Sequence, residues 1–124
     1  MKVPIRRGGV YWIPDTAVQL PPTTPKDRVV HPRRPFLVMS TDKTNVDDQW
    51  PLVIGFPFST SHEFSSEFDF ELEKGDAGLK EGCWVRIPLF QPIAKEKLLE
   101  RVGQLSASQM QSVVALHLHY IDAL

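Results

Sequence analysis

Cysteine occurs once in this chain, at Cys83. That excludes an internal disulfide framework and a cysteine-rich zinc site, and a single thiol is in keeping with a reducing cytosol. Long apolar runs are missing too: none approaches the roughly 18 residues of a membrane span. The opening MKVPIRRGGV has no hydrophobic segment before its charges, so a cleaved leader is not expected. Charge of one sign is not in excess, since 14 Lys and Arg against 15 Asp and Glu leave a formal −1. Any contact with nucleic acid must therefore come from a local basic patch. Internal repeats and alternating strand–helix units are also absent. What remains is a cytoplasmic protein with no membrane contact, its 124 residues forming one domain, 1–124.

Proline, by contrast, is plentiful and unevenly placed. The stretch from about 14 to 35 holds Pro14, Pro21, Pro22, Pro25, Pro32 and Pro35 without periodicity, which reads as a loop of about 20 residues and, at that length, a functional one. Its Lys26, Arg28, Arg33 and Arg34 make it the most basic part of the chain. It is expected to act as a flap over a nearby site.

Around this loop the chain reads as strands. Val10 to Ile13 is β-favouring and ends at Pro14, which has no N–H for a ladder. Phe36 to Ser40 and Leu52 to Phe58 are apolar runs flanking a polar turn at 41–49, with the second run central and Gly55 within it marking a bulge or a close backbone approach. From Phe68 to Glu73 apolar and acidic residues alternate with period two, so Glu67, Asp69, Glu71 and Glu73 are expected to face water. Even spacing on an outward face is edge protection rather than a metal site. CWVRIPLFQPI (83–93) is a fifth strand, with Pro88 near its middle. Then the period changes. Residues 95–102 predict a short helix stopped by Gly103, and Ser106 with Gln109 forms a capping box for a helix from Ala107 to near Leu124. Met110, Val113, Val114, His117, Ile121 and Leu124 share its apolar face. His117 and His119 point roughly 200° apart on that helix and cannot share a metal. Five strands followed by two C-terminal helices define an α+β, mainly β, chain, or a small barrel with helical decoration.

If the runs at 36–40 and 52–58 pair antiparallel, Arg33 and Arg34 meet Ser59, Thr60 and Ser61 at one rim. Guanidiniums beside hydroxyls make a phosphate seat. Trp12, before the flap, and Trp50, beside a loop, are the better candidates among the aromatics (Tyr11, Phe64 and Trp84 are the others) for stacking a base. Cys83 reads as core.

The order RGGVYWIP, RRPFLVMS, VIGFPFSTS, CWVRIPLFQPI, LLERVGQLSASQMQSV resembles the MazF/PemK (Kid-like) toxins of type II toxin–antitoxin systems, over essentially the whole chain. The resemblance implies an SH3-like barrel with C-terminal helices, a homodimer, and a growth-inhibiting hydrolase. Its activity would be metal-independent and cofactor-free endoribonuclease cleavage of single-stranded RNA, by 2′-OH attack giving a 2′,3′-cyclic phosphate, inhibited by a cognate antitoxin. Carried over by position, Arg34 matches the arginine of the family's Arg-Pro motif, Ser59 stands where the family has a threonine, and Arg86 matches the Kid-type arginine. These three are the catalytic candidates. Arg33, Thr60, Trp12 and His31 are the substrate-binding candidates, His31 standing in for a loop histidine and, by residue type, a candidate base.

The chain also departs from the pattern. Gly9 replaces an acid, the Kid-type catalytic aspartate falls on Pro88, and the family's GxEQxG loop is replaced by the proline-rich segment. The alternative reading is therefore a non-catalytic barrel of the same fold that, in the manner of CcdB-like proteins, binds an antitoxin-like peptide, a protein target or nucleic acid.

Overall fold

The computed structural model describes residues 4–21, 31–61 and 63–124. Among these residues seven strands form a curled antiparallel half-barrel: β1 (Gly9–Pro14), β2 (Arg33–Val38), β3 (Leu52–Ser59), β4 (Phe70–Leu72), β5 (Cys83–Val85), β6 (Gln91–Ala94) and β7 (Arg101–Gln104). Their order is β4-β5-β3-β2-β1-β7, with β6 also on β3. Two helices accompany them, a single turn α1 (Asp42–Asn45) in the polar connection and the terminal α2 (Ala107–Tyr120). The chain is thus α+β and mainly β, as its patterning implied. Among the described residues no helix is long and apolar enough to cross a membrane.

The sheet is buried on both faces, and the pleat sorts its side chains. Val10, Leu37, Phe56 and Phe58 join Leu105, Met110 and Val113 in a core beneath α2. Their strand neighbours Tyr11, Ile13, Phe36 and Val38 form a second core with Val18, Leu20 and Ile93. β3 is central, pairing with β2 on one side and with β5 and β6 on the other. Gly55 marks a close approach: a Cβ there would lie 1.8 Å from the Leu37 carbonyl oxygen.

Several local expectations are corrected. The fifth strand is two, β5 and β6, because a 3-10 turn at Ile87–Leu89 around Pro88 breaks the ladder. The helix expected over 95–102 is a 3-10 turn at Lys95–Lys97 followed by β7, so one terminal helix stands where two were expected. Edge pairing overrides helix propensity there. The Leu99 N–H donates to the Trp12 carbonyl, the Trp12 N–H donates to Glu100, and Gly103 pairs with Val10. Gly103 is not a helix stop but a contact point, where a Cβ would sit 2.1 Å from the Ala77 oxygen. The capping box at Ser106 and Gln109 does form. Ile121 and Leu124 lie beyond α2 and are exposed. Asp69, expected to be wet, is buried against Arg86. Lys26 and Arg28, and with them the body of the flap, lie outside the described residues.

Candidate functional site

The antiparallel register of β2 and β3 sets Phe36 opposite Pro57. Continued by two residues, it sets Arg34 opposite Ser59. The arginines at the start of β2 and the hydroxyls at the end of β3 therefore share a rim, and that rim opens into a pocket of about 790 Å³. Arg34, Ser59, Arg86, Arg33, Thr60, Trp12 and His31 all line it. The structure thus brings together the three catalytic and four substrate-binding candidates read from the sequence. Trp50 is exposed and does not line it.

Arg34 is almost fully buried, at 8% exposure, and is held from behind. Its Nε donates to Asp15 Oδ1 at 2.6 Å and its Nη1 to the Phe58 carbonyl at 2.5 Å. Asp15, at 1% exposure, sits in the 3-10 turn at Asp15–Ala17 that follows β1. Its second oxygen accepts the His31 backbone N–H at 2.7 Å. A guanidinium carries five N–H groups; with two directed backward, the others remain for the pocket. Asp15 was not singled out from the sequence. An acid after a short strand carries no local signal of burial; only the fold supplies it.

Arg33, the preceding residue of the strand, points the other way. Its guanidinium lies 4.2 Å from the Trp12 ring centroid and its Nη1 donates to Glu100 at 2.7 Å. One face of the indole is therefore already covered by a cation. Ser59 Oγ accepts the Ser61 N–H at 3.1 Å, and Ser61 Oγ accepts the Glu63 N–H at 3.1 Å. These bonds use the hydroxyl oxygens as acceptors and leave the hydroxyl protons to donate.

Arg86 is buried and also lines the pocket. Its Nη2 donates to the Phe64 carbonyl at 2.5 Å, and both terminal nitrogens reach the Glu63 carbonyl at 3.4 Å. Its Nε lies 3.3 Å from Asp69 Oδ2, close enough for an ion pair but too poorly aligned for a hydrogen bond. Arg86 thus fastens the loop at 63–69 to the sheet. Phe64, in that loop, has φ +60° and is 60% exposed at the pocket.

Pro88 lies in its 3-10 turn and does not line the pocket. The carboxylates on the wall are Glu63 and Glu81. Cys83 also lines it, but burial, with Glu81 adding to the effect, pushes its thiol up to about 12, which removes it as a nucleophile. Among the described residues no three His, Cys, Asp or Glu gather as metal ligands. Away from the pocket, burial lowers the pKa of His117, whose ring packs 4.5 Å from Phe90 and 5.4 Å from Phe56.

A family model described as PemK-like, MazF-like toxin of type II toxin-antitoxin system matches residues 6–117. A sequence search among curated proteins gives no match. Among solved structures the chain is similar to Mycobacterium tuberculosis toxin MazF-mt6, with a TM-score of 0.67 and 19% identity over 92% of this chain and 96% of that one. It is similar as well to MazE-MazF (Form-II) from Deinococcus radiodurans, with a TM-score of 0.68 and 15% identity over 98% of each chain. A third is an endoribonuclease in complex with its cognate antitoxin from Mycobacterial species, at 0.67 and 14%, covering 96% of this chain and 94% of that one. At these identities the likeness speaks for the fold.

Proposed function

Because this chain belongs to the PemK-like, MazF-like toxins of type II toxin–antitoxin systems, we propose that it is a cytoplasmic endoribonuclease that cuts single-stranded RNA and is restrained by a cognate antitoxin. The observation that carries this reading is the pocket that gathers Arg34, Ser59 and the other candidates on one rim. Single strands suit such a site, since their bases can splay and their 2′-hydroxyls are accessible.

In this proposal the scissile phosphate sits between Arg34 and Ser59. The 2′-oxygen attacks the adjacent phosphorus and its proton passes to a base on the pocket wall, for which His31 is our candidate. The bond from phosphorus to the 5′-oxygen breaks, that oxygen takes up a proton, and a 2′,3′-cyclic phosphate remains. Negative charge grows on the phosphoryl oxygens during attack. A guanidinium already oriented by Asp15 and the Phe58 carbonyl meets that charge without reorganising, so no metal ion is required for it. The Ser59 hydroxyl donates to the same oxygens. Arg33, Thr60 and Trp12 hold the flanking chain. Arg86 acts as a positioning residue, since its guanidinium is directed at the carbonyls of Glu63 and Phe64. Two copies pair as a homodimer.

Pro88 at the family's acid position favours a second reading, a barrel that binds RNA or a partner peptide without cutting. One experiment separates them. The pure protein is incubated with a long single-stranded RNA in EDTA and the product ends are mapped. Cyclic phosphate and 5′-OH ends, lost in Arg34→Ala, support the ribonuclease; intact RNA with retained peptide binding supports the binder.

A further inference from the structure

Phe64 combines three features that packing alone does not account for. Its φ of +60° lies in the left-handed region, where a bulky side chain is a genuine outlier. The residue is 60% exposed although large apolar side chains gain by burial. It stands at the pocket that also holds the Arg34–Ser59 rim. The loop is kept in this conformation from inside. The buried Arg86 grips the Phe64 carbonyl at 2.5 Å and reaches that of Glu63 at 3.4 Å. A strained backbone secured by a buried charge, with an aromatic ring left in the solvent, is an arrangement found at ligand clamps.

We propose that Phe64 is a stacking platform for one unpaired nucleobase of the RNA strand. The inference rests on the ribonucleolytic reading of the same pocket and adds a base-contacting residue to its lining. Trp12, the larger aromatic at the pocket, already has Arg33 over its ring, whereas Phe64 offers its ring to the open pocket. Every base has a π-face, so a single phenyl ring grips a base without reading its identity. With the phosphate at Arg34 and Ser59, a base on Phe64 would hold the strand at a second point and fix the direction in which it crosses the rim.

The test uses single-stranded 2′-O-methyl oligoadenylate, which cannot supply the attacking hydroxyl, and an abasic oligomer with the same sugar–phosphate chain. Affinities are measured by fluorescence anisotropy for the full-length protein. Phe64→Ala is expected to weaken oligoadenylate binding about 5- to 150-fold, the range that loss of one base–aromatic stack carries. Binding of the abasic chain is expected to be unchanged, and Phe64→Tyr and Phe64→Trp to bind oligoadenylate as the wild type does. Phe64→Gly, which relieves the positive φ, is expected to keep or raise Tm while losing the same affinity. The proposal is overturned if Phe64→Ala binds oligoadenylate like the wild type, if both oligomers lose affinity equally, or if Phe64→Gly lowers Tm together with binding. If the wild type binds neither oligomer, both the ribonuclease reading and this inference fall. If it binds both oligomers equally, only this inference does.

Discussion

Asp15 and Arg34 form a buried pair in which one carboxylate oxygen holds the guanidinium at 2.6 Å while the other holds the backbone of His31 at 2.7 Å. One side chain therefore sets the aim of the arginine and fixes the point where the chain returns to the sheet. Asp15→Ala would leave Arg34 charged and without its carboxylate, a defect that costs about 3–5 kcal/mol in buried pairs. Urea denaturation should show that loss. In RNA cleavage, Asp15→Ala should lower kcat strongly in the wild type and have little further effect in Arg34→Ala. Additive losses would show that Asp15 acts independently of the arginine.

Arg86→Lys keeps the charge and loses the fork that reaches two carbonyls at once. Since we place Arg86 as a positioning residue, KM for RNA should rise several-fold while kcat stays within about twofold. A fall in kcat of about 100-fold or more, the size seen when a group facing developing charge is removed, would return Arg86 to the reacting atoms.

Gly103→Ala distinguishes the strand from a helix end by sign. In an exposed helix the change would stabilise by about 1 kcal/mol. Here the new methyl would meet the Ala77 oxygen at 2.1 Å, so thermal unfolding should show a loss of about 1–3 kcal/mol, the range of overpacked sites. A rise in Tm would contradict the β1–β7 pairing.

Two groups give stability opposite pH slopes. The Cys83 thiol is raised from 9.0 to about 12 in the fold. Its contribution is complete below pH 9 and is lost as pH climbs toward 12, because the unfolded chain releases the proton first. His117 is lowered by burial, so the unfolded chain takes up its proton first and stability falls as pH drops below the ordinary imidazole value of 6.5. Denaturation midpoints followed across pH should lose the alkaline slope in Cys83→Ala and part of the acid slope in His117→Phe. Iodoacetamide should leave native Cys83 unmodified at neutral pH.

Much of this was legible in the sequence because it depends on local pattern. The antiparallel pairing of β2 with β3, the central place of β3, the close approach at Gly55 and the capping box at Ser106 follow from alternation, β-propensity and spacing. The pocket rim followed from which ends of two strands carry arginines and hydroxyls. What was not legible depends on partners distant in sequence. Residues 95–102 have helical composition and are drawn into the sheet edge by Trp12. Asp69 alternates like a solvent-facing acid but meets Arg86, seventeen positions on. Phe64 was ranked below Trp12 and Trp50 as a base partner. Only the fold shows that one face of the Trp12 ring is covered, that Trp50 stands elsewhere, and that Phe64 is exposed at the pocket.

Pro14 at the end of β1 stands directly opposite Arg33 at the start of β2. Whatever chain joins them leaves the sheet and returns to it at neighbouring points, as in a hairpin. Lengthening such a connection costs only about 0.6 kcal/mol for each doubling, and its ends are already fastened by the Pro14–Arg33 pairing and by Asp15. The ladder ends and the Asp15–Arg34 pair can thus stay in place while the chain between Leu20 and His31 changes in length or sequence, as long as Val18 and Leu20 keep their places in the second core. That makes the middle of the connection, not the whole of it, an exchangeable cassette.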